Sequence, residues 1–352
     1  MSKRIHRAKK AITKKAKAPK KLYTLACADA LEWLKGCRAT SIRAVVTDPP
    51  FGLVEYLPEE LKKRENGKGI WRLPQAYDGY TRMSTPRFTV LTPPQLHSIS
   101  TFHGRLAPAL FRVLVPGGHV IMASHGLLAH LVINRFVRAG FELRGQVARI
   151  VTTLRGGDRP KGAHKAFPNV SVTPRSCWEP WLIFRKPFDG LVSENLTKWR
   201  TGALRRPSTE TPFKDLIVAG PVRGVERKIS PHPSVKPQKL LRQLVEAALP
   251  MRSGTVLDPF MGSGSTLAAA QALRIRSIGI EINREYFDLA KKAIPKLAAL
   301  KVQIAKASTN GGGRRRPKRP GPTQSERPGN SERRKPAVVS RGDRQRDKRR
   351  KP

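Results

Sequence analysis

The chain of 352 residues predicts an α/β fold with a mostly parallel sheet and helices on both faces. Three observations carry that prediction. Short apolar runs alternate with helix-length amphipathic stretches between residues 23 and 300. Two of those runs break sharply into loops, one at Asp48-Pro49-Pro50-Phe51-Gly52 and one at Asp258-Pro259-Phe260-Met261-Gly262-Ser263-Gly264. The second loop leads straight into a helical pattern at Ser265-Thr266. Alternation of this kind builds βαβ units around a covered sheet.

Taken in order, Tyr23–Ala26 reads as a short strand. Ala28–Leu34 reads as a helix with Leu31 and Leu34 on one face. Ala44–Thr47 is a buried strand that ends at Asp48. Residues 53–95 are rich in Pro, Gly, Lys and Arg with weak periodicity, so they form a long irregular insertion. Leu96–Leu114 fits a helix stopped by Pro116-Gly117-Gly118, with a strand at His119–Ala123. Leu127–Ala139 is a helix closed by Gly140. Leu143–Thr152 and Trp178–Phe184 read as strands, a hairpin pair across a basic loop at 152–177. Residues 187–230 are loop-rich. Gln238–Leu249 is an amphipathic helix, apolar at Leu240, Leu241, Leu244, Val245 and Ala248. Strand Thr255–Leu257, helix Ser265–Leu273, strand Ser277–Ile282 and helix Arg284–Leu300 complete the body.

Charge sets the class of partner. The formal net charge is +44, of which the arms at residues 1–22 and 301–352 carry +24 and the body +20. Solvated tails alone would not charge the body as well, so a polyanion, most simply nucleic acid, is the expected partner. Residues 1–21 and 305–352 have little to bury and read as disordered basic arms around a globular part at 22–304. The three cysteines, Cys27, Cys37 and Cys177, form no metal or redox spacing and are expected to be reduced and buried. No stretch reaches the roughly 18 apolar residues of a membrane span, and the N-terminus has no apolar signal core. These features make a cytoplasmic protein the expectation.

The glycine-rich turn has the makings of a nucleoside site. Gly262 and Gly264 permit positive φ and close approach of a ligand to the backbone. The helix beginning at Ser265-Thr266 leaves free N–H groups at its N-terminus. Glu281 closes the next strand, where an acid accepts hydrogen bonds from ribose hydroxyls. The third glycine of the dinucleotide fingerprint and the GK[ST] of a P-loop are both missing, which disfavours a dinucleotide oxidoreductase and a nucleoside triphosphate.

Asp48-Pro49-Pro50-Phe51 suits an amino group. The prolines fix φ and lack N–H groups, so the loop presents carbonyl acceptors. Asp48 adds a charged acceptor and Phe51 a flat face for an aromatic base. Together the two loops point to methyl transfer to the amino group of a nucleobase. A third element, His232-Pro233-Ser234-Val235-Lys236-Pro237, either caps the helix at Gln238 or brings Lys236 and the helix N-terminus toward a cofactor carboxylate.

These segments together resemble the family of methyltransferases that modify exocyclic amino groups in DNA. Its catalytic motif [DNS]PP[YFW] is matched at Asp48 to Phe51, and its cofactor motif Asp-Pro-Phe-x-Gly-x-Gly-[ST]-[ST] at Asp258 to Thr266. Gly279-Ile280-Glu281 with Tyr286 matches its next acidic strand, and His232 to Pro237 its His-Pro-x-x-Lys-Pro element. Asp29 takes the acidic place of its Gly-Asp-x-Leu segment, with Ala28 where Gly is usual. The catalytic motif precedes the cofactor motif, which resembles the permuted β group of adenine-N6 and cytosine-N4 enzymes.

The resemblance implies a Rossmann-like methyltransferase fold over about 22–304, with S-adenosylmethionine as cofactor and double-stranded DNA as partner. Gly262, Gly264 and the backbone around Phe260 would hold the methionine part, Glu281 the ribose and Asp29 the adenine ring or its amino group, with Asp258, Ser265, Thr266 and Lys236 also at the cofactor. Asp48, Pro49, Pro50 and Phe51 would receive a base flipped from the duplex. Recognition of the target would fall to 187–230, with Arg64, Trp71, Tyr77, Arg155, Arg159 and Lys161 in the other loops as further DNA contacts. Asp before the prolines leans toward adenine N6 and Ser toward cytosine N4, so adenine is the expected base. An RNA substrate and a silent DNA-binding role on the same scaffold are the competing readings. A homodimer and a cognate restriction endonuclease are further partners that the family allows.

Overall fold

The computed structural model describes residues 21–50, 92–155, 165–172, 176–232 and 234–302, together with 71–72, 81–82, 163 and 174. Phe51, Arg64, Tyr77, Arg159, Lys161, the arms at 1–20 and 305–352 and most of the expected insertion lie outside the described residues.

The chain begins with β1 (Tyr23–Cys27), α1 (Ala30–Gly36) and β2 (Ile42–Thr47). Two short strands, β3 (Trp71–Arg72) and β4 (Thr81–Arg82), pair antiparallel inside the segment expected to be irregular. Next come α2 (Pro93–Val113), β5 (Leu114–Ala123), α3 (Ala129–Arg138), β6 (Glu142–Arg155) and β7 (Ser176–Arg185). Then follow α4 (Val192–Trp199), β8 (Leu216–Val218), α5 (Gly224–Ile229), α6 (Gln238–Ala248), β9 (Thr255–Asp258), α7 (Ser265–Ala272), β10 (Arg276–Glu281) and α8 (Arg284–Ala298). Among the described residues no helix is long and apolar enough to cross a membrane.

Eight strands form one sheet in the order β1-β10-β9-β2-β5-β7-β6-β8. The strands from β1 to β5 in that order pair parallel, β7 runs antiparallel to β5 and β6, and β8 pairs parallel to β6. From β2 the chain moves to β5 on one side, and from β9 to β10 on the other. The junction of β2 and β9 is therefore the point where the winding reverses, and open α/β sheets place ligands at the carboxyl ends of such strands.

Both faces of the sheet are covered, as near-continuous apolar strands require. Alternation along β2 sends Ala44 and Val46 to one face, against Leu240, Leu241, Leu244 and Val245 of α6. It sends Val45 to the other, against Leu106, Leu110 and Phe136. On that second face Phe136 stacks on Phe184 with ring centroids 4.5 Å apart. A third cluster packs α7 on α8 through Leu267, Ala290, Ile294 and Leu297.

Three expectations need correction. The Pro116-Gly117-Gly118 sequence does not stop a helix: α2 ends at Val113 and β5 runs through all three residues. These glycines make room for a neighbour, since a Cβ on Gly117 (φ 74°) would overlap Asn195 and lie 2.8 Å from the Gly202 nitrogen. Residues 187–230 hold two helices and a strand rather than loop alone. Helix α4 is fixed by polar contacts that leave no apolar period: Glu194 Oε2 accepts from Leu191 N at 3.0 Å, and buried Asn195 donates to Pro116 O and Thr201 O at 3.2 and 2.8 Å. The cysteines are free, but Cys27 and Cys177 are exposed and Cys37 is half-buried. Cys27 ends the edge strand β1, and Cys177 lies near the start of β7, so neither reaches the core.

Gly264 adopts φ 83°, and a Cβ there would overlap Ile294 Cγ1 and lie 2.7 Å from its Cδ1. In the direction of the missing Cβ the close approach is by α8. Gly264→Ala is expected to cost about 1–3 kcal/mol from overpacking and left-handed strain, read as a lower urea midpoint. An unchanged midpoint would contradict this packing.

Candidate active site

The two loops that stood out in the sequence meet at the β2/β9 junction. Thr47 Oγ1 donates to Asp258 Oδ1 at 2.7 Å, joining residues 211 apart in the chain. Asp258 Oδ1 also accepts from Phe260 N at 3.1 Å, and the Thr266 hydroxyl bonds the same carboxyl. Asp258 thus organises the turn that follows it. Gly262 N donates to Glu281 Oε2 at 2.9 Å, and Met261 N to Ile280 O at 2.9 Å, tying the turn to the end of β10. Gly262 has φ 51°, and a Cβ there would meet the His232 ring at 3.4 Å. Ser265 and Thr266 are buried at the start of α7.

Glu281 accepts from Gly262 N on one oxygen and from Asn283 N at 2.8 Å on the other. Each carboxylate oxygen has a second lone pair, so hydroxyl donors can still be received. Asp29 caps α1, its Oδ1 accepting from Glu32 N at 3.0 Å. It lies at the end of β1 next to the end of β10, since Cys27 pairs with Glu281.

Asp48 lies one residue beyond β2. Its Oδ2 accepts from Lys236 Nζ at 2.5 Å. Its Oδ1 is buried and has no hydrogen-bond partner among the described residues. Pro49 is buried and Pro50 exposed. A recess lined by Asp48, Lys236, Asp258, Phe260, Gly262 and Thr266 connects the two loops. Burial pushes the Asp48 carboxyl above its usual range, and Glu179 adds to this, while Lys236 and Arg149 oppose it.

Lys236 differs from expectation. Its ammonium is engaged by Asp48 and lies 3.8 Å from Glu179 Oε1, so it lies on the Asp48 side of the recess. His232 of the same motif packs beside Gly262 and meets Tyr286 of α8 edge-on, with ring centroids 4.2 Å apart. Burial and the nearby Arg227 and Lys236 cations lower the His232 pKa to about 4, which keeps the imidazole neutral. Glu179 and Arg149 were not foreseen. Glu179 accepts from Trp181 Nε1 at 2.9 Å and pairs with Arg149 at 3.2 Å. The one signal in the sequence was an acid inside the apolar run of β7. Among the described residues no cluster of three or more His, Cys, Asp or Glu side chains could hold a metal.

The chain is similar in sequence to known DNA methylases. Residues 171–292 match the DNA methylase family model, a span that contains β7, the His232–Pro237 element, the glycine turn and Glu281. The type II methyltransferase M.HindIII of Haemophilus influenzae is 25% identical over 206 residues, covering 51% of this chain and 64% of that protein. The DNA adenine methyltransferase YhdJ of Escherichia coli K12 is 38% identical over 133 residues, covering 34% of this chain and 45% of that protein. The chain therefore spans less than two thirds of the length of these curated relatives. The crystal structure of the M1.HpyAVI-SAM complex superimposes with a TM-score of 0.49 at 19% identity, over 77% of this chain and 98% of that one.

The Asp258 carboxyl is pushed up to about 6, chiefly by burial and against the hydrogen bonds it accepts. Because the folded value lies above the unfolded one, its contribution to stability is full below pH about 4 and lost as pH rises through about 6. Asp258→Asn keeps an acceptor for Thr47 and Phe260 without the buried charge. It is expected to stabilise the fold at pH 7.5 by about 1–3 kcal/mol and to change little at pH 3.5, as read by urea unfolding at both values. Equal effects at the two values would contradict the buried charge.

Proposed function

We propose that the chain, whose residues 171–292 match the DNA methylase family model, belongs to that family and transfers a methyl group from S-adenosylmethionine to the exocyclic amino group of a base in double-stranded DNA, adenine N6 in first place. The observation that carries this reading is Asp48 Oδ1, buried beside the glycine turn and without a hydrogen-bond partner among the described residues. A buried acceptor left unpaired costs about 1–3 kcal/mol, and an amino group brings the donor that satisfies it.

The residues present fit the cofactor. Carboxylates of Asp48, Asp258 and Glu281 surround the glycine turn, which suits a cationic ligand with ribose hydroxyls. In this reading Glu281 receives the ribose, and Asp29, at the neighbouring strand end, the adenine. Phe260, Gly262, Ser265 and Thr266 hold the methionine part, with Asp258 keeping their turn in shape. Gly264 borders the same part, and its missing Cβ lets α8 pack. S-adenosylmethionine supplies an electrophilic methyl group on a sulfonium, so neither a metal nor a covalent enzyme intermediate is called for.

The protein's task is positioning and electrostatics. The target base leaves the stack, because its amino nitrogen cannot be approached within the duplex. Phe51 stacks on the base. Asp48 Oδ1 and the Pro49 carbonyl accept the two amino hydrogens, which draws the nitrogen toward sp³ geometry and aims its lone pair at the methyl carbon. Asp48 then stabilises the positive charge that develops on nitrogen, and the proton leaves by way of its carboxylate. The base that donates those hydrogens is adenine on the strength of Asp at the first motif position.

Incubation with unmethylated duplex DNA and labelled S-adenosylmethionine, followed by nucleoside mass spectrometry, tests this reading. N6-methyladenine is the expected product, and N4-methylcytosine would reassign the base. No methylated nucleoside from a protein that binds the cofactor would overturn the proposal. The basic arms neutralise further phosphates in this account. The slope of log affinity against log salt should therefore be steep and should fall by several units when residues 305–352 are removed, at roughly 0.9 for each phosphate no longer neutralised. An unchanged slope would contradict a DNA-binding role for the tail.

A further inference from the structure

Four charges of alternating sign run under the amino-acceptor side of the recess. Asp48 beyond β2 holds Lys236 at 2.5 Å, and Lys236, from the segment before α6, lies 3.8 Å from Glu179 on β7. Glu179 pairs with Arg149 on β6 at 3.2 Å. Arg149 in turn donates to Ala219 O at 2.9 Å and Gly220 O at 3.0 Å, in the segment that follows β8. The side chains of Glu179 and Arg149 are only 11% and 3% exposed. Buried ion pairs contribute little net stability compared with apolar packing, so a row of them beside a site calls for another reason.

We propose that Glu179 is a positioning residue for the amino-acceptor Asp48, acting by sharing the Lys236 ammonium with it. Glu179 is itself fixed from three directions, by Arg149, by Trp181 Nε1 and by the β7 backbone. Lys236 is thereby anchored at a second point, and the Asp48 carboxylate is held in one orientation, with Oδ2 occupied and Oδ1 presented to the recess. Sharing also keeps Lys236 from neutralising Asp48 outright. The anchor reaches the backbone at Ala219 and Gly220, within the stretch assigned above to target recognition. The inference rests on the methyl-transfer reading of the same recess.

The test is the pH profile of kcat/KM for methyl incorporation into unmethylated duplex DNA. Asp48 stabilises the charge that develops on the amino nitrogen, and takes up its proton, only when ionised, so activity rises with pH through its titration. The charges facing Asp48 are Lys236 before α6, Glu179 on β7, Arg149 on β6 and Asp258 on β9. Glu179→Gln removes an anion and leaves two cations, so the acid limb should move to lower pH by about half a unit or more, with kcat reduced roughly tenfold. Lys236→Met should move the limb to higher pH. Glu179→Asp keeps the charge and should keep the wild-type limb. An active wild type whose limb is shared by all three variants overturns the inference alone, whatever their kcat. A wild type with no methylation activity overturns the reading beneath it, and the inference too.

Discussion

The side-by-side pairing of β2 and β9 governs everything else in the site. Residues more than two hundred positions apart become neighbours there, and the buried Thr47–Asp258 hydrogen bond joins the two strand ends. A hydrogen bond to a charged group contributes about 1.5–3 kcal/mol, but its larger effect is geometric. It fixes the glycine turn, through Asp258, at a set position relative to the Asp48 loop. The pairing also brings two carboxyls together away from water, and both are pushed above their usual range by burial. Lys236 is the counter-charge that makes the arrangement tolerable, which explains why it turns toward Asp48.

The electrostatics of the chain work at two distances. Overall the molecule carries +44, which attracts a polyanion from afar. At the recess the sign is reversed locally by Asp48, Asp258, Glu179 and Glu281. In the proposed reading, that pattern draws nucleic acid in while keeping the site itself ready for hydrogen-bond donors and for a cation. A uniformly basic site would lack acceptors for an amino group.

Much of this was legible in the amino-acid order, for identifiable reasons. The strand-to-loop breaks at Asp48 and Asp258 are local events, written by prolines and glycines next to β-branched runs. The alternation of strands and helices foretold a sheet covered on both faces, and the acid closing β10 stood out against Ile278, Gly279 and Ile280. What escaped depends on contacts between distant segments. Nothing local shows that Ile294 packs where Gly264 lacks a Cβ. The Pro116-Gly117-Gly118 segment looked like a helix stop because the residues packed on it, Asn195 and Gly202, lie eighty positions away. Helix α4 is held by Glu194 and Asn195 through polar bonds, so no apolar period announced it. Glu179 and Arg149 were hidden for the same reason, each reading as a stray charge in a strand until the sheet brings them together.

The central claim is that Asp48 serves the transferred amino group while the glycine turn and Glu281 serve the cofactor. Single-turnover methyl transfer by Asp48→Asn, with S-adenosylmethionine affinity titrated on the same preparation, tests it most directly. The account predicts a rate about a hundredfold lower or worse with an affinity within about threefold of wild type. Transfer at the wild-type rate, or a loss of cofactor affinity as large as the loss of rate, would contradict it.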